Sequence, residues 1–504
     1  MILHHQFIET AKKNKNKIAI KDRMTGASIS FERALIASLI LSKKFKKYND
    51  KYIGIMIPTS AGAMLSSIGT VMLGKVPVMI NYSTGAEENC RYAQKKCGFT
   101  TIITSRALLD KIKCPVIDGM ICIEDIMKTV TGLDKIGAAL KTKLPATAII
   151  KSLPPAVIDD TAAILFTSGS EKDPKAVQLS HKNIGSNAID SYNVLELKQD
   201  DIMLSGLPLF HIFGLQTNFW LPMTHGFTAV TYANPLEYKT VTAIMKKEGC
   251  TAIASTPIFL AGYLRESKPG DFEKLSLIVA GADKTPDWLR EGYREKHNIE
   301  IVEGYGATET SPVISVNRRD WNKPGSVGLP YPSCQVKITD IQSGEELPVG
   351  QEGKIMVKGD LVTKGYIDDV QTREAIVDGW YFTGDIGVLD EDGFLWHKGR
   401  LKRFVKIGGE MVSLVKTEVV IEEALHEDIE CCVVDVPDKT KGASLVCVLT
   451  HEVDREKLIK NLADKLPPIA IPKKFLVIDE FPKMGSGKAD FRSIGEIARE
   501  KLAK

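Results

Sequence analysis

Short apolar runs recur along the first two thirds of the chain, separated by longer stretches with helical spacing. KYIGIMIP (51–58), TTIITS (100–105), AAILFTSG (162–169), FTAVTY (227–232), TAIASTP (251–257), LSLIVAGAD (275–283) and IEIVEGYG (299–306) are rich in isoleucine and valine, as strands covered on both faces are. Thr285 followed by Pro286 marks a helix start, because a proline at the first helical position loses no needed hydrogen bond. Strand, helix, strand repeated in this way predicts parallel sheets with right-handed crossovers. From 325 to 399 the pattern changes to short alternating strands with many glycines and prolines, as in GSVGLPYPSCQVKITDIQSGEELPVGQEGKIMVKG, which predicts a small barrel or distorted antiparallel sheet.

After GRLKRF the pattern changes again. EMVSLVKTEVVIEEALH (410–426) reads as a helix, ECCVVDV and SLVCVLT as strands, DREKLIKNLADKL as a helix and KKFLVID as a strand. That predicts a compact α+β domain over 400–504, following a large α/β domain of parallel sheets flanked by helices over 1–399. A chain of 504 residues is too long for a single core, in keeping with this division. There is no internal repeat and no long low-complexity segment.

Composition narrows the function classes only a little. Charged residues make up 26% and the formal charge is +3, which argues against a generic nucleic-acid binder. The nine cysteines form no CxxC or CxxH pair, so neither a zinc site nor a disulfide framework is expected, and a reducing cytoplasm fits. The start, MILHHQFIETAKKNKNK, lacks the apolar core of a signal peptide. The best apolar stretch, SSIGTVMLGKVPVMI, is short and broken by Lys75, so no transmembrane segment is expected.

Four stretches carry candidate chemistry. In LFTSGSEKDPKAVQLSH (165–181) a strand gives way to small hydroxyl residues, a glycine and Lys175, with a helix expected next. Thr167, Ser168, Gly169, Ser170 and Lys175 can cradle phosphate oxygens, or can simply form a polar turn. Pro174 stands where a Walker loop needs glycine. In EGYGATETSP (303–312), Tyr305 can stack on a purine, Thr308 can donate to a phosphate and Glu309 can hold a magnesium ion, with Gly306 among the candidate nucleotide-binding positions; a plain strand-end turn is the alternative. In DGWYFTGDIGVLDEDGFLWHKGR (378–400), Asp385 can accept from both ribose hydroxyls and Arg400 can brace the sugar, while DEDG reads as a hairpin turn and His397 as packing. In PKMGSGKADF (482–491), Lys488 sits on a glycine-flanked loop, or is an ordinary exposed lysine.

Taken together and in this order, the four stretches resemble the adenylate-forming superfamily of acyl-CoA synthetases, peptide-synthetase adenylation domains and luciferases, over nearly the whole chain. His211 in LPLFHIFGL, which the resemblance places among the catalytic residues with Lys488, Thr308 and Lys406, and Gly281 in LIVAGAD match further positions of that pattern. FTSGSE, PLFHIFGL, VAGAD, KRFVKIGGEMVS and GSGKADF are most similar to long-chain acyl-acyl-carrier-protein synthetases, as in the synthetase half of 2-acylglycerophosphoethanolamine acyltransferase, with the chain expected to begin directly at that half.

The resemblance implies two half-reactions: a fatty carboxylate attacks MgATP to give an acyl-adenylate and pyrophosphate, and the thiol of holo-acyl carrier protein then displaces AMP. It implies phosphate contacts from the 167–175 loop, Thr308 and Lys488, magnesium on Glu309, adenine beside Gly281 and Tyr305, and ribose on Asp385 and Arg400. It places a hinge at Lys402, with a mobile C-terminal domain that presents Lys488 for adenylation and Lys406 for thiol transfer. Phe213, Phe219 and Trp220, close to His211, are candidates for an acyl pocket, or are ordinary core. Lys402, Arg403 and Lys406 read as a solvated basic cluster that can also dock an acidic carrier.

Two departures stand out: Lys172 and Ala176 occupy positions where the family loop usually has glycine. The rivals are a fatty acyl-CoA ligase, a non-catalytic fatty-acid-binding relative and a luciferase-like oxygenase. Peripheral contact with the inner membrane face is compatible with a substrate that partitions there, although no amphipathic anchor is evident in the sequence.

Overall fold

The computed structural model describes the chain except residues 168–173, 408–409, 427–428, 439–441, 464, 483–488 and 504, and gives the backbone alone at 402, 406, 410, 411 and 503. Two compact units result, one of Met1–Val336 with Val357–Tyr381 and the other of Lys337–Met356 with Phe382–Lys504. The barrel-like stretch at 325–399 is thus shared between the two, and strands Cys334–Thr339, Gly353–Gly359 and Trp380–Leu389 run across the division.

The first unit holds two large sheets. In one, Ile301–Gly306, Leu277–Ala280, Ala252–Ser255, Ile202–Ser205, Thr228–Thr231 and Ile18–Asp22 lie side by side and parallel, with antiparallel strands at both edges. In the other, Thr161–Phe166, Val76–Met79, Tyr52–Met56, Ile102–Thr104 and Met120–Cys122 are parallel. All seven predicted apolar runs are strands of these sheets. Their burial on both faces explains why they lack the alternation of a half-exposed strand. Helix Asp287–His297 begins just past Thr285–Pro286, with the proline as N-cap.

One expectation about chain order needs correction. The polar loop after Phe166 does not lead directly into a helix. It turns back as strand Ala176–Ser180, antiparallel to Thr161–Phe166 with Phe166 opposite Ala176. Helix His181–Val194 starts only then, closed by a capping box between Ser180 and Asn183. Four of those five strand residues are buried, and this two-sided cover favours a strand over a longer loop. Ala176 is therefore ordinary strand backbone with no demand for glycine, while Lys172 lies outside the described residues.

The second unit contains strands Cys431–Asp438, Gly442–Leu449 and Lys474–Val477, helices Leu414–Glu422, Arg455–Ala463 and Phe491–Ala503, and the hairpin Phe404–Ile407 with Glu410–Ser413. The helix predicted from 410 is shorter than expected: Glu410–Ser413 pairs as a strand, and Ser413 then caps the helix by accepting from the Lys416 N–H. Cys431, Cys432 and Cys447 are buried free thiols.

The N-terminal helix Leu3–Lys13 is fastened through a buried histidine pair. The Leu3 N–H donates to His181 Nδ1 at 3.3 Å, and the His4 and His181 rings lie 5.4 Å apart, with His5 and the chain's amino group nearby. Burial lowers the pKa of His4 to about 2 and of His181 to about 4. In the unfolded chain both take up protons near pH 6.5, whereas the native state resists doing so. Stability is therefore full above pH 6.5 and falls as the pH drops from there towards 4. Urea unfolding at a series of pH values is expected to show this loss, and His4→Asn should flatten the slope by up to about 1.4 kcal/mol per pH unit. A wild-type stability that stays level between pH 7 and 5 would contradict the assignment.

Candidate active site

At the carboxyl edge of the first sheet, where open α/β sheets bind ligands, Ser255 is level with Ala280 and Ala280 with Glu303, and strand Ile301–Gly306 runs on three residues beyond. The Gly281 N–H donates to the Ser255 carbonyl at 3.1 Å. A Cβ at Gly281 would lie 3.3 Å from the Phe213 ring and 3.5 Å from the Gly304 carbonyl, so Gly281 sits close against both. Phe213, half-buried, faces this point. His211, also half-buried, precedes the π-helical turn Gly214–Trp220, and its ring lies 4.6 Å from that of Phe210. Phe219 and Trp220 stack on each other at 4.4 Å and are essentially fully buried in the core, with Leu3, Phe7 and Phe31 in the same cluster.

Beyond Tyr305 the chain makes a tight turn. The Ala307 N–H donates to the Pro312 carbonyl at 3.0 Å and to Thr310 Oγ1 at 3.0 Å, and Asn187 Nδ2 donates to the Val313 carbonyl at 2.8 Å. Gly306 is opposite Val313 in the register. The short 3-10 turn Thr308–Thr310 then presents a half-buried Thr308 and a buried Glu309, whose carbonyl accepts from the Thr363 N–H at 2.7 Å.

The base of the polar loop comes close to this turn. The Thr167 N–H donates to the Lys175 carbonyl at 3.0 Å, and the Lys175 N–H donates to Thr167 Oγ1 at 3.2 Å, which pins the loop's two ends together. Lys175 Nζ lies 5.3 Å from the centre of the Tyr366 ring, and the Tyr366 hydroxyl donates to Glu309 Oε1 at 2.8 Å. Tyr366 thus links Lys175 to Glu309. Sequence reasoning missed it, since a tyrosine in TKGYID carries no local mark of chemistry. Ser168, Gly169 and Ser170 lie outside the described residues.

In the second unit, Asp385 and Arg400 face each other directly in the register of Trp380–Leu389 against Leu395–Arg400. Arg400 Nε and His397 Nε2 each lie 3.7 Å from an Asp385 oxygen, and the Asp385 N–H donates to Thr383 Oγ1 at 3.1 Å. Asp385 is buried whereas Arg400 is exposed. The expectation that His397 serves as packing is corrected: it is exposed and faces the carboxylate. The DEDG hairpin turn is present, with Asp390 Oδ1 accepting from the Asp392 and Phe394 N–H groups.

Lys402 lies in the 3-10 turn Leu401–Arg403 and Lys406 in strand Phe404–Ile407, with their side chains outside the description; Lys488 falls wholly outside it. Arg403 does not belong to a solvated cluster. Its guanidinium pairs with the buried Glu418, donates to the Val433 carbonyl at 3.1 Å and stacks on Phe491 at 4.3 Å.

Sequence and structure comparisons agree with this frame. Residues 7–367 match the family model described as AMP-binding enzyme, and residues 421–488 match the AMP-binding enzyme C-terminal domain. The chain belongs to the AMP-binding enzyme family. It is 33% identical over 347 residues to a long-chain-fatty-acid–CoA ligase of Bacillus subtilis, covering 65% of this chain and 60% of that one. Over 522 residues it is 26% identical to 4-coumarate–CoA ligase 1 of Petroselinum crispum, covering 96% of this chain and 92% of that one. Among solved structures, the o-succinylbenzoate CoA synthetase of Bacillus subtilis in complex with its acyl-adenylate intermediate superimposes with a TM-score of 0.84 at 25% identity, covering 97% of each chain. The chain thus spans about three fifths of the Bacillus fatty-acid ligase and nearly all of the other two proteins.

Proposed function

We propose that this chain is an acid–thiol ligase that uses ATP to activate a medium- or long-chain fatty acid and passes the acyl group to a phosphopantetheine thiol. The observation that carries this reading is the Lys175–Tyr366–Glu309 constellation, with Glu309 in the turn that follows strand Ile301–Gly306. Its donor set suits a magnesium nucleotide. Lys175, Thr167 and Thr308 offer positive charge and hydroxyls to phosphate oxygens, and Glu309, with Oε1 held by Tyr366, leaves Oε2 to carry a cation. The described residues contain no cluster of three acidic, histidine or cysteine side chains that could hold a metal, so the ion would complete its shell with phosphate oxygens and water.

In the first half-reaction a carboxylate oxygen attacks the α-phosphorus and the bond to pyrophosphate breaks. Lys488, Lys175 and Thr308 stabilise the charge that builds on the phosphate oxygens. A magnesium ion held by Glu309 would supply positive charge against the charge that builds on the pyrophosphate. Asp385 and Arg400 hold the ribose so that attack is in line. In the second half-reaction the sulfur attacks the acyl carbonyl, the bond to AMP breaks and the thiol proton passes to solvent. Lys402 is the hinge that reorients residues 400–504 between these steps, and Lys406 faces the site in the second state. Tyr305 stacks on the adenine, and His211 and Phe213 line the entry for the acid.

Asp385→Asn is expected to raise the KM for ATP by about 10- to 100-fold, the worth of a charged hydrogen bond to the ribose, with a smaller change in kcat. Steady-state kinetics in ATP measures this, and an unchanged KM would remove Asp385 from the ribose site.

Our reading names holo-acyl carrier protein as the acceptor, on the strength of FTSGSE, KRFVKIGGEMVS and GSGKADF. A CoA acceptor is the second reading, favoured by the CoA ligases among the relatives and by the loss of Arg403 from the supposed docking cluster. Parallel reactions with a labelled C16 acid, ATP and magnesium, offering holo-acyl carrier protein or CoA, separate the two. Label on the carrier protein supports the first reading, label on CoA alone supports the second, and label on neither overturns both.

A further inference from the structure

Helix Gly132–Lys141 turns the wrong side outward. On a globular surface the apolar stripe of a helix faces the core and the charged side faces water. Here the buried face carries Asp134, Ala138 and, just past the helix, Thr142. Asp134 closes a capping box with Thr131 and pairs with Lys43 and Lys44, each at 2.8 Å. Lys12 donates to the Thr142 carbonyl at 2.5 Å. These polar contacts fix the helix about its own axis. The opposite face presents Leu133 (80% exposed), Ile136 (58%), Leu140 (65%) and, beyond the helix, Leu144 (45%), at spacings of three and four residues that align them in one row. Four aligned aliphatic side chains in water form a patch and not scattered surface leucines.

The rim of this row is basic. Between residues 128 and 151 there are five lysines, at 128, 135, 141, 143 and 151, against the single, already paired Asp134. Lys128 and Lys143 are both largely exposed; Lys128 pairs with Asp125 at 3.0 Å and Lys143 lies 3.8 Å from Glu32, while Lys12 adds a further cation near Lys143, so the lysines outnumber the acids around the row. We propose that this face is a docking surface for anionic lipid, with the leucine row entering the boundary between headgroups and acyl chains and the lysines meeting headgroup phosphates. Charge complementarity favours lipid over a second copy of the chain, because self-association about this row would set one lysine rim against another. This docking surface does not depend on the function proposed above.

The test is co-sedimentation of the full chain with vesicles of pure phosphatidylcholine or of phosphatidylcholine with phosphatidylglycerol, at low and high salt. The chain is expected to bind the anionic vesicles at least about tenfold more tightly and to lose that binding at high salt. The triple variant Leu133→Ser, Ile136→Ser, Leu140→Ser should weaken binding about tenfold or more, and Lys135→Glu with Lys143→Glu should do likewise, with the circular dichroism and melting temperature of both unchanged because these side chains are exposed. No sedimentation with either vesicle, or equal binding by wild type and the triple variant, would overturn the proposal. So would a dimer in analytical ultracentrifugation that the triple variant abolishes, since that would make the row a protein interface.

Discussion

Alanine at position 306 is expected to abolish acid activation, lowering turnover by on the order of a hundredfold or more, with a stability loss of about 1–3 kcal/mol. The reason is steric and local. A Cβ there would stand 1.9 Å from the Pro312 carbonyl oxygen and 2.7 Å from its carbon, both of them backbone atoms that no rotamer change can move. The pairing of Gly306 with Val313 must open, and with it the turn that sets Thr308 and Glu309. The displaced groups are those proposed to meet the phosphates (Thr308) and the magnesium (Glu309), so the loss should appear in kcat more than in fold. Gly137→Ala is the natural control. Nothing lies within 4 Å of its Cβ, and in a helix interior alanine should stabilise by about 0.5–1 kcal/mol. Equal effects of the two substitutions on turnover would show that the turn is not part of the machinery.

Arg290→Met is expected to be the most destabilising single change at the site, by about 3–5 kcal/mol in urea unfolding. Arg290 Nη1 lies 2.6 Å from Glu303 Oε1 and donates to the Thr285 carbonyl at 2.7 Å, while Nη2 meets Asp287, and both Arg290 and Glu303 are buried. Glu303 in turn accepts from the Gly325 N–H at 3.3 Å, and its carbonyl accepts from the Asn317 N–H at 2.8 Å. Removing the guanidinium leaves a carboxylate in the interior at the start of the Tyr305–Glu309 turn, so nucleotide affinity should fall along with stability. The double variant Arg290→Met, Glu303→Gln should recover part of the loss, since no bare charge then remains. A cost below about 1 kcal/mol, or a double variant no better than the single, would mean that the pair adds nothing to the frame.

Much of this architecture can be read in the residues, and the failures have physical causes. Fully covered parallel strands announce themselves as isoleucine- and valine-rich runs, and all seven such runs are strands. Ala176–Ser180 was hidden because AVQLS is short and ends in a helix cap, so that the strand merges with the signal of the next element. The Asp385–Arg400 pair was legible through its spacing across a marked hairpin turn, yet His397 was misjudged, since alternation along a strand does not reveal which neighbour a side chain meets. Tyr366 reaches Glu309 from 57 residues further along the chain, and Arg290 meets Glu303 from the helix before strand Ile301–Gly306; neither pairing has a local mark in the sequence. The leucine row on Gly132–Lys141 has the periodicity of any amphipathic helix; Asp134, paired with two lysines of another helix, decides which face turns inward.

The most direct test of the central claim is exchange of labelled pyrophosphate into ATP, run with a fatty acid and magnesium but no thiol acceptor. Reversible formation of an acyl-adenylate predicts label in ATP that depends on the acid and disappears in Lys488→Ala. A folded wild-type protein that exchanges no label at saturating acid across chain lengths would contradict the assignment of this chain as an acid-activating ligase.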